Sequence, residues 1–163
     1  PATRVSFEVK HAWGVRRAFA AAPRLITGVT DRYVEKRILH NLVGSLQFWE
    51  PNERLEVYDL GLSKKWRQEV SALPGVDLLP LRPAVDAVLG GGSLLDHVFN
   101  ASTYAFKPIV VADALRRHGR VLWIDANAEV RRPLDRVRVK LGLDGHFLVE
   151  HPYRFPSPQF HHP

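Results

Sequence analysis

The stretch Arg120-Val121-Leu122-Trp123-Ile124-Asp125-Ala126-Asn127 decides the fold. Four apolar residues, Val121 to Ile124, follow Gly119 and stop at Asp125. A short apolar run bounded by turn signals suits a strand buried on both faces. Pattern alone does not separate it from a buried helix; its length, its leading glycine and its β-branched and aromatic content favour a strand. A carboxylate at the carboxyl end of a buried parallel strand lies on the ligand-binding edge of an α/β sheet. With an oxygen-bearing side chain two residues on, Asp125 and Asn127 can hold a hard divalent cation beside a diphosphate. The plain alternative is that Asp125 only caps the following turn.

Upstream, Leu25-Ile26-Thr27-Gly28-Val29-Thr30 reads as the first strand, with Asp31 as a helix N-cap after it. From Arg32 to Trp49 the apolar residues Val34, Ile38, Leu39, Leu42, Val43, Leu46 and Trp49 form one wide helical stripe, ended by Pro51 and Asn52. Leu55–Asp59 is a second strand. Ser63 then caps a helix over Lys64–Leu73, which Pro74-Gly75 breaks, and Val76–Leu81 is a third strand. Residues 82–103, with Pro83, the triplet Gly90-Gly91-Gly92 and Ser93, read as a flexible connection with a short helix near Leu94–Val98. Tyr104–Pro108 opens a helix with Pro108 near its first position and Gly119 at its end. After the focal strand come a short helix over Pro133–Leu141, closed by Gly142, and a fifth strand at His146–Glu150. Strands alternating with helices imply a mostly parallel, doubly wound α/β sheet.

The 163 residues fit one domain, here 25–163, preceded by a basic arm or linker at 1–24. Apolar content of 45% and charged content of 25% belong to an ordinary globular chain. With no cysteine there is neither a disulfide framework nor thiolate metal ligation. No run approaches the roughly 20 apolar residues of a membrane span. Position 1 is Pro and Met is absent, so the chain reads as processed or as a piece of something longer. The net charge of +6 suits either an anionic small molecule such as a nucleotide or a polyanion such as RNA.

A doubly wound sheet takes its ligand outside the carboxyl ends of its strands. That edge gathers Thr27, Gly28, Val29 and Thr30, then Asp59, then Asp125 and Asn127. It has no glycine fingerprint of a dinucleotide fold and no Gly-x-Ser-x-Gly elbow, which disfavours an NAD enzyme and a serine hydrolase. His151, His161 and His162 lack helical ligand spacing and read as tail residues rather than metal ligands.

Five segments in order carry a resemblance: Leu25–Thr30, Asn41–Leu46, Val57-Tyr58-Asp59-Leu60-Gly61-Leu62, Tyr104–Val111 and Leu122–Asn127. Together, across roughly 25–163, they resemble the nucleotide-diphospho-sugar transferase superfamily, the GT-A-type glycosyltransferases. The resemblance implies a GT-A fold, a UDP- or GDP-linked sugar donor, transfer to an unknown acceptor, and a secretory-pathway or Golgi setting. Its Asp-x-Asp metal motif maps onto Asp125-Ala126-Asn127, so Mn²⁺ or Mg²⁺ would rest on Asp125 and Asn127. Asn127 departs from the second Asp: its amide oxygen can ligate but brings no charge. Thr27, Gly28, Thr30 and Asp59 would lie near base or ribose, and Lys107, at a helix start on the same edge, near the diphosphate; the plain alternatives are a turn former at Asp59 and a solvated helix-end cation at Lys107. Such enzymes run well beyond five strands, so this chain reads as a donor-binding half. The competing reading is a non-catalytic, structural or RNA-contacting subunit of a larger assembly on the same fold.

Overall fold

The computed structural model describes residues 22–90 and 96–145. Most of the basic arm, the expected strand at His146–Glu150 and the tail histidines fall outside them. The described chain is an α/β domain whose four strands are all parallel: β1 (Arg24–Val29), β2 (Leu55–Asp59), β3 (Val76–Pro80) and β4 (Val121–Trp123), in the order β3-β2-β1-β4. The chain therefore winds outward from β1 through β2 to β3, then returns to place β4 on the other side of β1. Among the described residues no helix is long and apolar enough to cross a membrane.

Strand alternation sends neighbouring residues of β1 to opposite faces, and each face closes a separate core. On one face Leu25 and Val29 pack with Val34 of α1 (Asp31–Glu35), the stripe Leu39, Leu42, Val43 and Leu46 of α2 (Ile38–Trp49), and Val70 of α3 (Lys64–Ser71). On the other, Ile26 and Tyr58 pack with Ala84 and Val85 of α4 (Leu81–Leu89), Val98 of α5 (Asp96–Phe99), and Phe106, Ile109, Val110 and Ala114 of α6 (Phe106–His118). A last helix, α7 (Asp135–Asp144), buries no residue and is tied down by charge: Arg138 Nη2 donates to Glu50 Oε2 at 2.6 Å and to Glu53 Oε1 at 3.0 Å.

Four expectations need correction. The focal strand is three residues long and stands at the edge of the described sheet, each residue only half-buried. Its apolar run arises because Leu122 and Ile124 feed one core while Val121 and Trp123 feed the other. The expected single helix over 32–49 is two, parted at Lys36-Arg37, where Arg37 takes a left-handed conformation (φ 59°). The expected loop after residue 81 begins instead with α4, because Pro83 falls in its first turn, where a missing N–H costs nothing; Gly90 (φ 75°) ends it. The final helix runs through Gly142 and ends at Gly145.

Candidate functional site

β4 stops at Trp123, opposite Ile26, while β1 continues to Val29. The shortfall leaves a notch beside the carboxyl end of β1, at the point where strand order reverses. That is where a doubly wound sheet has room for a ligand. A cleft of about 490 Å³ occupies the notch, lined by Gly28 and Thr30 of β1 and its end, Arg32 of α1, Lys107 of α6, Trp123 of β4 and Asp125 just after it. Its size is that of a small-molecule site, typically about 300–1,000 Å³.

Gly28 shapes the floor. A Cβ there would lie 3.0 Å from Leu60 Cδ1 and 3.3 Å from Phe106 Cε2, so only glycine leaves this wall uncrowded. Tyr104, 60% exposed, borders the mouth with a left-handed backbone (φ 58°), a conformation rare for an aromatic residue and common at functional sites. Its ring centroid lies 5.2 Å from Lys107 Nζ, and that of Trp123 lies 5.3 Å from the same atom. The ammonium is thus bracketed by two aromatic faces, each attracting a cation.

Asp125 emerges at the rim with its side chain 56% exposed. Oδ1 accepts from Lys107 Nζ at 2.7 Å and from Trp123 Nε1 at 2.8 Å. Burial pushes the carboxyl pKa up, but these two donors and the ammonium's charge outweigh it and hold it below the ordinary value. Lys107 keeps two of its three donors beyond the one given to Asp125. Arg32, which lines the same cleft, has no side-chain partner among the described residues. Two cations therefore face the cleft against one carboxylate.

The expected site residues divide. Gly28, Thr30, Lys107, Asp125 and Asn127 come together around the cleft. Thr27 does not line it: it is fully buried on the opposite face of β1 from Gly28, its hydroxyl without a hydrogen-bond partner among the described residues. Asp59 is committed locally. It accepts from the N–H groups of Gly61 (2.9 Å) and Leu62 (2.6 Å) and from Arg67 Nε (2.7 Å), which makes it a turn former. Arg32, Tyr104 and Trp123 were not singled out from the sequence. Arg32 lies three residues past the end of β1, and that position is the available signal for it.

The fit of a divalent cation can be judged from the donors. Mg²⁺ or Mn²⁺ wants oxygen ligands, carboxylates foremost, beside substrate phosphates and water. The cleft supplies one carboxylate, whose Oδ1 already holds an ammonium, and one neutral amide, Asn127. Among the described residues no group of three or more acidic or histidine side chains is placed to hold a metal ion. Two unit charges about 4 Å apart near a protein surface interact by roughly 4 kcal/mol, so a dication against a fixed Lys107 ammonium would meet about twice that repulsion. This donor set does not fit a divalent cation. What it defines is an α/β domain with a cationic, aromatic-walled cleft at its topological switch point. No family, curated protein or solved structure matches the chain.

Proposed function

We infer that this chain is the donor-binding part of a GT-A-type glycosyltransferase, holding the diphosphate of a UDP- or GDP-linked sugar in the cleft beside Asp125. One observation carries the reading. Lys107, Arg32 and Asp125 converge on a cleft at the carboxyl ends of β1 and β4, where the resemblance of the motifs to nucleotide-sugar transferases calls for a diphosphate. In such a transfer an acceptor hydroxyl oxygen bonds to the anomeric carbon and gives up its proton to water or to an oxygen of the leaving diphosphate. The bond from that carbon to the diphosphate oxygen breaks, and the nucleoside diphosphate leaves with the electron pair. The leaving charge must be offset, and cations fixed before the ligand arrives do so without reorganisation. Trp123 and Tyr104 offer apolar faces on which a base or a sugar ring can lie.

The test is calorimetric titration of the full chain with UDP- and GDP-sugars, each with and without Mn²⁺. Saturable one-to-one binding, weakened at least about tenfold by Asp125→Ala, is expected. Absence of heat with every donor, from a chain that melts cooperatively, overturns the reading.

A second reading is favoured by the neutral Asn127 and by the engagement of Asp125 with Lys107: a non-catalytic subunit that keeps the fold and contacts RNA. It requires salt-dependent RNA binding that survives Asp125→Ala.

A further inference from the structure

We propose that this cleft binds a nucleoside diphosphate without a divalent cation: the Lys107 ammonium and the Arg32 guanidinium supply the positive charge, and Asp125 is a positioning residue for Lys107. The inference rests on the nucleotide-binding reading above and departs from the metal dependence that an Asp-x-Asp motif would imply.

Three relationships carry it. First, the one carboxylate among the cleft-lining residues already holds the Lys107 ammonium, 2.7 Å from Oδ1, so a metal on either of its oxygens would sit beside a fixed positive charge. Second, that ammonium is held on more than one side. The carboxylate lies against it, the rings of Tyr104 and Trp123 stand about it, and its side chain is only 34% exposed. Trp123 in turn donates to the same Asp125 oxygen at 2.8 Å, so ring, carboxylate and ammonium fix one another. A lysine held this way pays little further side-chain entropy when phosphate arrives, and it still has two N–H donors to offer. Third, Arg32 lines the same cleft with its five donors unclaimed among the described residues, and a guanidinium matches two phosphate oxygens at once. The change from Asp to Asn at the second motif position belongs to the same arrangement. A second carboxylate beside Asp125 would help a metal, but it would repel a diphosphate held only by Lys107 and Arg32.

The experiment titrates the full chain with UDP and with GDP, in excess EDTA and in millimolar Mn²⁺, for the parent, Lys107→Ala, Arg32→Ala and Asp125→Asn. Affinity should agree within about twofold between the two buffers. Lys107→Ala should weaken binding at least about tenfold in both, with no rescue by Mn²⁺. Arg32, exposed and without a side-chain partner among the described residues, can be removed with little risk to folding; Arg32→Ala should cost several-fold, and more so at low ionic strength. Asp125→Asn should bind more weakly, with its EDTA-to-Mn²⁺ ratio still near one. Binding that needs Mn²⁺ and survives Lys107→Ala overturns this inference and leaves the nucleotide-binding reading standing. Failure of both nucleotides in both buffers overturns the two together.

Discussion

Arg117, in the last turn of α6, grips the carboxylate of Glu56, which β2 carries into the interior: Nη2 lies 2.8 Å from Oε2 and Nη1 3.1 Å from Oε1. The Glu56 side chain is 6% exposed, and the Arg117 Nη2 also reaches the Tyr58 hydroxyl at 2.6 Å. That hydroxyl donates to Asp113 Oδ2 at 2.8 Å, and burial, reinforced by Asp113, pushes its pKa well above the ordinary tyrosine range. Without Arg117 this buried carboxylate keeps only His118 Nε2 at 2.8 Å and Arg24 Nε at 3.5 Å, a weaker pairing for a charge in a poor solvent. Arg117→Ala is therefore expected to destabilise the domain by about 2–3 kcal/mol, discounted for the partial exposure of the arginine. The exposed pair Arg131–Glu129 is the control: Arg131→Ala should change stability by less than about 0.5 kcal/mol. Urea denaturation of the two variants compares them directly.

Glu50 gives stability a pH dependence of known sign. Burial pushes its carboxyl up, but hydrogen bonds from Arg138 and from the Leu134 N–H outweigh that and hold it below the ordinary value of 4.5. The folded state therefore binds the proton less readily than the unfolded chain. Its contribution is complete above pH 4.5 and is lost as the pH falls through the lowered value. Asp77 and Asp125 carry the same sign, so the parent curve alone does not isolate Glu50. Glu50→Gln should lower the denaturation midpoint near neutrality and flatten its fall below about pH 4.5. An unchanged acid slope would mean that Glu50 is not held as described.

Much of this arrangement was legible in the chain. The strand readings at 25–30, 55–59, 76–81 and 121–124 located all four described strands, the helical stripe from Val34 to Leu46 located the core of α1 and α2, and the place where the focal run stops located Asp125 at the rim. What escaped was tertiary. An apolar run records that a strand is covered, not how many strands flank it: β4, which reads as buried on both faces, is half-buried at the described edge. Nothing at Lys36-Arg37 announces a break, because neither residue is the glycine that a left-handed turn prefers. Pro83 was read as a breaker when its place in a first turn made it harmless. The contact between Lys107 and Asp125 joins residues 18 positions apart on different elements, and no local pattern encodes it. Thr27 and Gly28 are neighbours that look equally placed, yet the strand's alternation sends one to the core and the other to the cleft.

Gly28 is expected to be the most sensitive position on the cleft floor. The nearest atom to an added methyl is Leu60 Cδ1, the end of a side chain that can turn, whereas the Phe106 ring is packed against Trp123 with centroids 6.1 Å apart. Gly28→Ala should cost about 1 kcal/mol as Leu60 shifts. Gly28→Val should cost more and should also fill the cleft, abolishing nucleotide binding while the domain still melts cooperatively. Thermal melts with and without UDP read both effects.

Thr27 offers the opposite case, a substitution that should strengthen the fold. It is fully buried on β1, facing the core of Leu25 and Val29, and its hydroxyl has no partner among the described residues. An unsatisfied polar group in such a place costs about 1–3 kcal/mol relative to an apolar group of the same shape. Valine has that shape and keeps the β-branched preference for a strand. Thr27→Val should therefore raise stability by about 1 kcal/mol, or roughly 2–4 °C in Tm. It should leave affinity at the cleft unchanged, because the side chain lies across the sheet from Gly28. A melting temperature that falls would mean that the hydroxyl is satisfied in the folded protein, by a buried water or by residues beyond those described. Weakened UDP binding at unchanged stability would instead return Thr27 to the site.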